Sequence, residues 1–163
     1  VSWIEGEFNA VKYFEFGNKF SLGTNIDIVA SNKKLYDNYT ATIIQAPAFT
    51  PTQSIKGVFS PKLRANSFVA GGVIPVFKLM DNLQVRTEMY AFSPMRAIME
   101  NPEGKPFYGG WFDRVEFMGE ASLVYNFSFA SLSVYANYFN YPTHNWNFGL
   151  SFGAYITVPK FLR

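Results

Sequence analysis

Apolar and polar residues alternate at every second position over most of this chain. The last stretch shows it best: Trp146, Phe148, Leu150, Phe152, Ala154, Ile156 and Val158 interleave with Asn147, Gly149, Ser151, Gly153, Tyr155 and Thr157. A period of two sends the two sets to opposite faces of one long strand. The pattern recurs from the start. Ile4, Gly6, Phe8, Ala10 and Phe14 alternate with Glu5, Glu7, Asn9, Val11 and Tyr13, and Gly17-Asn18-Lys19 reads as a turn. Phe20, Leu22, Thr24, Ile26, Ile28 and Ala30 then oppose Ser21, Gly23, Asn25 and Asp27. A third, less regular strand is expected over residues 35–46, followed by a proline-containing loop over 47–64. Later strands are expected over 66–79, 83–91, 115–126, 131–141 and from 146 on, with a second long loop over 93–113. That makes about eight strands and no credible helix. The best helical stretch, 93–99, is too short.

Two all-β architectures fit such a pattern. A soluble sandwich turns its apolar face inward, whereas a transmembrane barrel turns it to lipid and keeps polar residues inside. The expected strands run to roughly 10–14 residues, longer than the ~5–6 of soluble strands and enough for the ~9–11 that a tilted spanning strand needs. Long loops follow the third and fifth strands and short turns follow the second, fourth and sixth, as in outer-membrane barrels. Aromatic residues gather near strand ends: Phe14, Phe16, Phe20, Phe77, Tyr125, Phe127, Tyr138 and Trp146 among them. Rings of this kind favour the membrane interface.

The expected fold is therefore an antiparallel up-and-down transmembrane β-barrel. Its lumen would hold Glu5, Glu7, Asp27, Arg86, Glu88, Glu116 and Glu120. Ile26, Ile28, Val85, Leu123, Val134, Leu150, Phe152 and Ile156 would face lipid. A charge at the lipid midplane costs ~2–4 kcal/mol, so carboxylates sharing one face orient the sheet. Lys12 breaks the rule and must snorkel from near the interface. Eight strands can close alone, with side chains filling the interior, or form half of a larger barrel.

Composition narrows the chemistry. The chain has 163 residues, 19% of them aromatic and only 16% charged, with a net charge of +2 and no cysteine. One domain and no disulfide scaffold follow from these values, and the net charge makes no strong case for binding a polyanion. The single histidine, His144, sits in a short turn and excludes a multi-histidine metal site. No apolar run approaches the ~20 residues of a transmembrane helix. No signal peptide is visible, and the chain begins at Val1, so it reads as a mature product or a part of something longer.

Gly149-Leu150-Ser151-Phe152-Gly153 matches G-x-S-x-G, the nucleophile elbow of many lipases. That chemistry needs a strained strand-to-helix turn and a base. Here the strand period runs on past Gly153, so Ser151 reads as a small residue on a strand face. No catalytic residue, metal site or cofactor is expected, and no basic, aromatic-interleaved stretch suggests nucleic acid. Lys56, Lys62, Arg64, Arg96, Lys105 and Arg114 make the long loops mildly basic, suited to lipopolysaccharide headgroups.

Two segments resemble a known family. APAFTPTQSIKGVFSPKLRANSFVAGGVIPVFKLMDNLQVRTEMYAF, residues 46–92, resembles the C-terminal barrel region of patatin-like phospholipase proteins of Bacteroidetes outer membranes. FMGEASLVYNFSFASLSVYANYFNYPTHNWNFGLSFGAYI, residues 117–156, is similar to it too. The likeness extends to the outer-membrane assembly-factor-like barrel superfamily and rests on barrel patterns and loop words, not on a catalytic motif. It implies that residues 1–163 are a single barrel domain or barrel fragment, the last eight or so strands of a barrel of about 16. The patatin and periplasmic domains would lie upstream. The implied function is a non-enzymatic outer-membrane module of the type V secretion kind, anchoring or translocating that lipid hydrolase. Outer-membrane lipid, lipopolysaccharide, barrel-assembly machinery and a second copy in a homodimer would be its partners. In that superfamily a loop folds back into the lumen on an arginine-glycine-aromatic tip. Leu63-Arg64-Ala65-Asn66 is the nearest match and lacks the glycine and the aromatic. Arg64 is thus expected to reach inward to Glu88, Glu116 or Glu120. Alternatives are a self-contained eight-stranded outer-membrane protein, structural or adhesive, and a secreted ligand-binding β-sandwich.

Overall fold

A computed structural model describes residues 2–139 and 146–154. The strand period of the sequence becomes a sheet of seven antiparallel strands. They are β1 (Glu5–Phe16), β2 (Phe20–Ser31), β3 (Phe68–Met80), β4 (Leu83–Pro94), β7 (Glu116–Asn126), β8 (Ala130–Phe139) and β9 (Trp146–Ala154). Between β4 and β7 the strands β5 (Arg96–Glu100) and β6 (Pro106–Trp111) form a separate two-stranded sheet. Every strand of the main sheet pairs with its neighbour in sequence, apart from that inserted hairpin, so the topology is up-and-down. β1 and β9 are its edges, and among the described residues neither pairs on its outer side.

The connections are strongly one-sided. The turn from β1 to β2 takes three residues, where Gly17 adopts φ +72°, a left-handed conformation that glycine enters at little cost. The turns from β3 to β4, of two residues, and from β7 to β8, of three, lie at the same end. At the other end, 36 residues (32–67) link β2 to β3, and the β5–β6 hairpin links β4 to β7.

Two expectations are corrected. Residues 35–46 do not form a strand; α1 (Tyr39–Gln45) occupies them. Thr40, Thr42, Ile43 and Ile44 are β-branched and favour strands, but Asn38 caps the helix by accepting from the Ala41 amide at 3.1 Å. Ile43 and Ala46 then bury against Ile98, with Leu35, Tyr39 and Tyr108 around them. Tertiary packing outweighs propensity here. The second correction concerns residues 93–113, which are not a plain loop. β4 extends to Pro94, and β5 and β6 follow, so the short helical stretch at 93–99 is strand instead. The main sheet thus has seven strands rather than about eight, and the expectation of no credible helix fails at α1. Among the described residues no helix is long and apolar enough to cross a membrane.

The register defines the two faces. Across the sheet, Tyr13, Gly23 and Ile74 share one face with Glu88, Glu120, Asn137 and Asn147. The next row on that face runs Val11, Asn25, Gly72, Tyr90, Met118 and Phe139. The opposite face carries Val85, Leu123, Val134 and Leu150 in one row and Ile26, Gly71, Ala91 and Phe117 in another.

Candidate functional site: the polar face beneath a folded-in segment

The 32–67 connection does not extend away from the sheet. Residues 47–49 and 63–65 run alongside each other, with the Phe49 amide donating to the Leu63 carbonyl at 2.9 Å and the Ala65 amide to Pro47 at 3.2 Å. This brace carries α2 (Gln53–Lys56) and a 3₁₀ turn (Pro61–Leu63) onto the polar face of β3, β4 and β7. Phe49, 1% exposed, is its anchor. Its ring centre lies 6.1 Å from that of Phe68 and 5.9 Å from those of Tyr90 and Phe92. Ile55, Leu63 and Ala65 bury beside it. Such aromatic pairs add ~0.5–1.5 kcal/mol beyond area burial.

Below this apolar seat lies a polar cluster. Glu88 is 6% exposed and accepts from Arg86 Nε at 2.5 Å and from the Tyr90 hydroxyl. On β7 its register partner is Glu120, another carboxylate. Glu120 accepts instead from the Ser54 hydroxyl of α2, so each acid has its own donors. Thr52 and Ser54 share a hydrogen bond of 2.9 Å that orients this contact. Pairing of this kind offsets the cost of taking a carboxylate out of water. Asn25, Asp27 and Asn137 on the same face each carry a buried oxygen without a hydrogen bond among the described residues.

Three tyrosines lie over glycines on neighbouring strands, Tyr13 over Gly23, Tyr90 over Gly72 and Tyr135 over Gly149. A Cβ on any of the three glycines would strike the ring. The glycine run in the last strand is therefore spatial: Gly149 makes room for Tyr135. Ser151 sits mid-strand in β9 opposite Ser133, with β9 continuing to Ala154.

Glu5, Glu7, Asp27, Arg86, Glu88, Glu116 and Glu120 all fall on this one face. Ile26, Ile28, Val85, Leu123, Val134, Leu150 and Phe152 fall on the other. Ile156 and His144 lie outside the described residues. Lys12 sits on the apolar face, its ammonium 5.0 Å above the Phe14 ring.

Arg64 departs from expectation. It reaches none of Glu88, Glu116 or Glu120. Its guanidinium donates to the carbonyls of Ile44 at 3.0 Å and Ala46 at 2.9 Å, and stacks 5.0 Å from the Phe59 ring. It holds the C-terminal end of α1, where orphan carbonyls and the helix dipole favour a cation. Burial draws its pKa below the usual guanidinium value. The segment is docked onto the sheet by Phe49 and Ser54. An isolated serine gives no pattern in the sequence, and Phe49 lies in a stretch read only as a proline-containing loop. Among the described residues, no cluster of histidine, cysteine or acidic side chains could hold a metal.

Comparison of the chain with protein-family models, with curated proteins and with solved structures returns no match.

Proposed function

We propose that this chain is a membrane-spanning β-barrel module of a Gram-negative outer membrane, with the face holding Glu88 turned to the lumen. One observation carries the reading: the sheet leaves its apolar face bare and covers the middle of its polar face, over β3, β4 and β7, with its own chain. Phe148 is 77% exposed, Phe117 67% and Leu150 65%. Burial of each such side chain is worth ~1.5–3 kcal/mol, which acyl tails would supply. A soluble sandwich would cover these residues and leave Glu88 and Glu120 to water. Strand length agrees. At ~3.4 Å per residue, a strand of 12 residues is about 40 Å long and spans the ~30 Å hydrocarbon core when tilted. Rings also gather at the short-turn end, where Phe20 lies 5.7 Å from Phe16 and 4.7 Å from Phe77.

The folded-in segment favours half of a larger barrel over a self-contained small one. About eight strands enclose only enough room for side chains, whereas larger barrels accommodate plugging segments. The unpaired edges β1 and β9 would then join further strands. We read the module as non-enzymatic, anchoring or translocating a patatin-like lipid hydrolase carried upstream, a role that rests on the resemblance of residues 46–92 and 117–156. Lipid, lipopolysaccharide, assembly machinery and a second copy are its partners on this reading.

Spin labels at Leu150 and Ser151 in bilayers test sidedness. Lipid-soluble oxygen should relax the first label more strongly, and a polar nickel complex the second. Equal accessibility, or the reverse order, rules the barrel out. Immunoblots of outer membranes address the anchor role. A band several times the 18.5 kDa of this chain, with lipid hydrolase activity, supports it, and a band at 18.5 kDa alone counts against it.

A further inference from the structure

We propose that the cavity between the exit of β2, the entrance of β3 and the β5–β6 hairpin binds a phosphate ester of sugar size. It encloses about 320 Å³, near the small end of ligand pockets, which run from ~300 to 1,000 Å³. Its lining includes Lys33, Lys34 and Arg96 and, among the described residues, contains no carboxylate.

Arg96 is presented for such a ligand. Its guanidinium centre lies 4.6 Å from the Tyr108 ring and 5.9 Å from the Trp111 ring, so two aromatic faces hold it. Only Nε is engaged, donating to the Gly109 carbonyl at 3.4 Å. Among the described residues its terminal nitrogens make no hydrogen bond and no ion pair. A stacked guanidinium with its fork unused suits bidentate capture of an oxyanion.

The backbone that carries the lysines is held beside it at Lys33. Buried Asn66 donates to the Lys33 carbonyl at 3.1 Å and to the Tyr108 hydroxyl at 2.8 Å. That hydroxyl donates in turn to the same carbonyl at 3.1 Å. The triangle clamps the backbone at Lys33 to the hairpin that bears Arg96. The Lys33 ammonium also bonds to the Gln45 carbonyl at 3.1 Å, while Lys34 makes no side-chain bond among the described residues. The Lys33 ammonium, held by that carbonyl and 5.0 Å from the Trp3 ring, adds its charge from the side, and Arg96 and Lys34 are left with free donors. A free fork beside an ammonium suits a phosphate monoester, which carries about −1.5 to −2 charges. The phosphate comes either from a soluble sugar phosphate or from the phosphorylated sugar headgroup of a lipid.

The test titrates the protein in non-ionic detergent with glucose-6-phosphate and with glucose, and measures its retention on phosphatidylcholine vesicles with and without lipid A. For a soluble ligand, glucose-6-phosphate binds and glucose does not. Binding then weakens about tenfold in Arg96→Met and about threefold in Lys34→Met. Retention on lipid A vesicles that depends on Arg96 and Lys34, without glucose-6-phosphate binding, assigns the phosphate to a lipid. Lys34 is exposed and unbonded, so its variant keeps the fold if Arg96→Met does not. The proposal is overturned if neither probe binds, or if binding survives both substitutions.

Discussion

At the scale of single residues, Glu88 and its two donors govern the polar face. Glu88→Leu would leave the Arg86 guanidinium without its counter-charge and the Tyr90 hydroxyl without its acceptor. Arg86 retains partial access to solvent, so the expected loss is about 1–3 kcal/mol. Tyr90→Phe removes one donor and should cost about 1 kcal/mol. Denaturant midpoints in detergent would rank the two, and equal midpoints would argue against a shared cluster. The glycines offer a second comparison. An alanine at Gly72 meets the Tyr90 ring and the Met89 carbonyl, whereas one at Gly6 meets nothing within 4 Å. Gly72→Ala should therefore cost about 1–3 kcal/mol and Gly6→Ala no more than about 0.5.

At the scale of elements, the segment over residues 47–65 has two separable supports. Phe49 seats it on the sheet, and Arg64 fastens α1 to it. Phe49→Ala should free the whole segment, since truncating a buried phenylalanine costs about 3–5 kcal/mol. Limited proteolysis would then cut across 47–65. Arg64→Ala should fray only the end of α1, with new cleavage confined to residues near 40–46. Identical cleavage patterns in the two variants would show that the supports are not independent. This element also marks the limit of sequence reading. The alternation exposed every strand of the main sheet because a half-covered strand repeats its environment every second residue. α1 left only a cap, Asn38, and a short run whose β-branched residues pointed to the wrong element. The β5–β6 hairpin was hidden by the prolines and glycines around it.

At the scale of the whole molecule, the bare apolar face sets the prediction. Val134→Arg places a guanidinium on that face and Ser133→Arg places one on the other. If lipid covers the first, Val134→Arg should destabilise the folded protein by ~2–4 kcal/mol in bilayers, and Ser133→Arg by much less. Heat-modifiable mobility on gels reports both. A larger effect from Ser133→Arg would mean that the faces have been read the wrong way round.

Period-two alternation by itself determined the strands of the main sheet, their short turns and which side chains share a face. Each of those depends only on neighbours along the chain and on the pleat, which places successive residues on opposite sides. The tertiary structure decided how the segment over 47–65 seats itself on the polar face, a fold-back that the resemblance implied and the alternation did not. It also decided that Ser54 rather than Arg64 meets a carboxylate, and that Arg96 stands with free donors beside Lys33 and Lys34. Those contacts join residues dozens of positions apart, and nothing local in the chain encodes which distant partner a single polar side chain will meet.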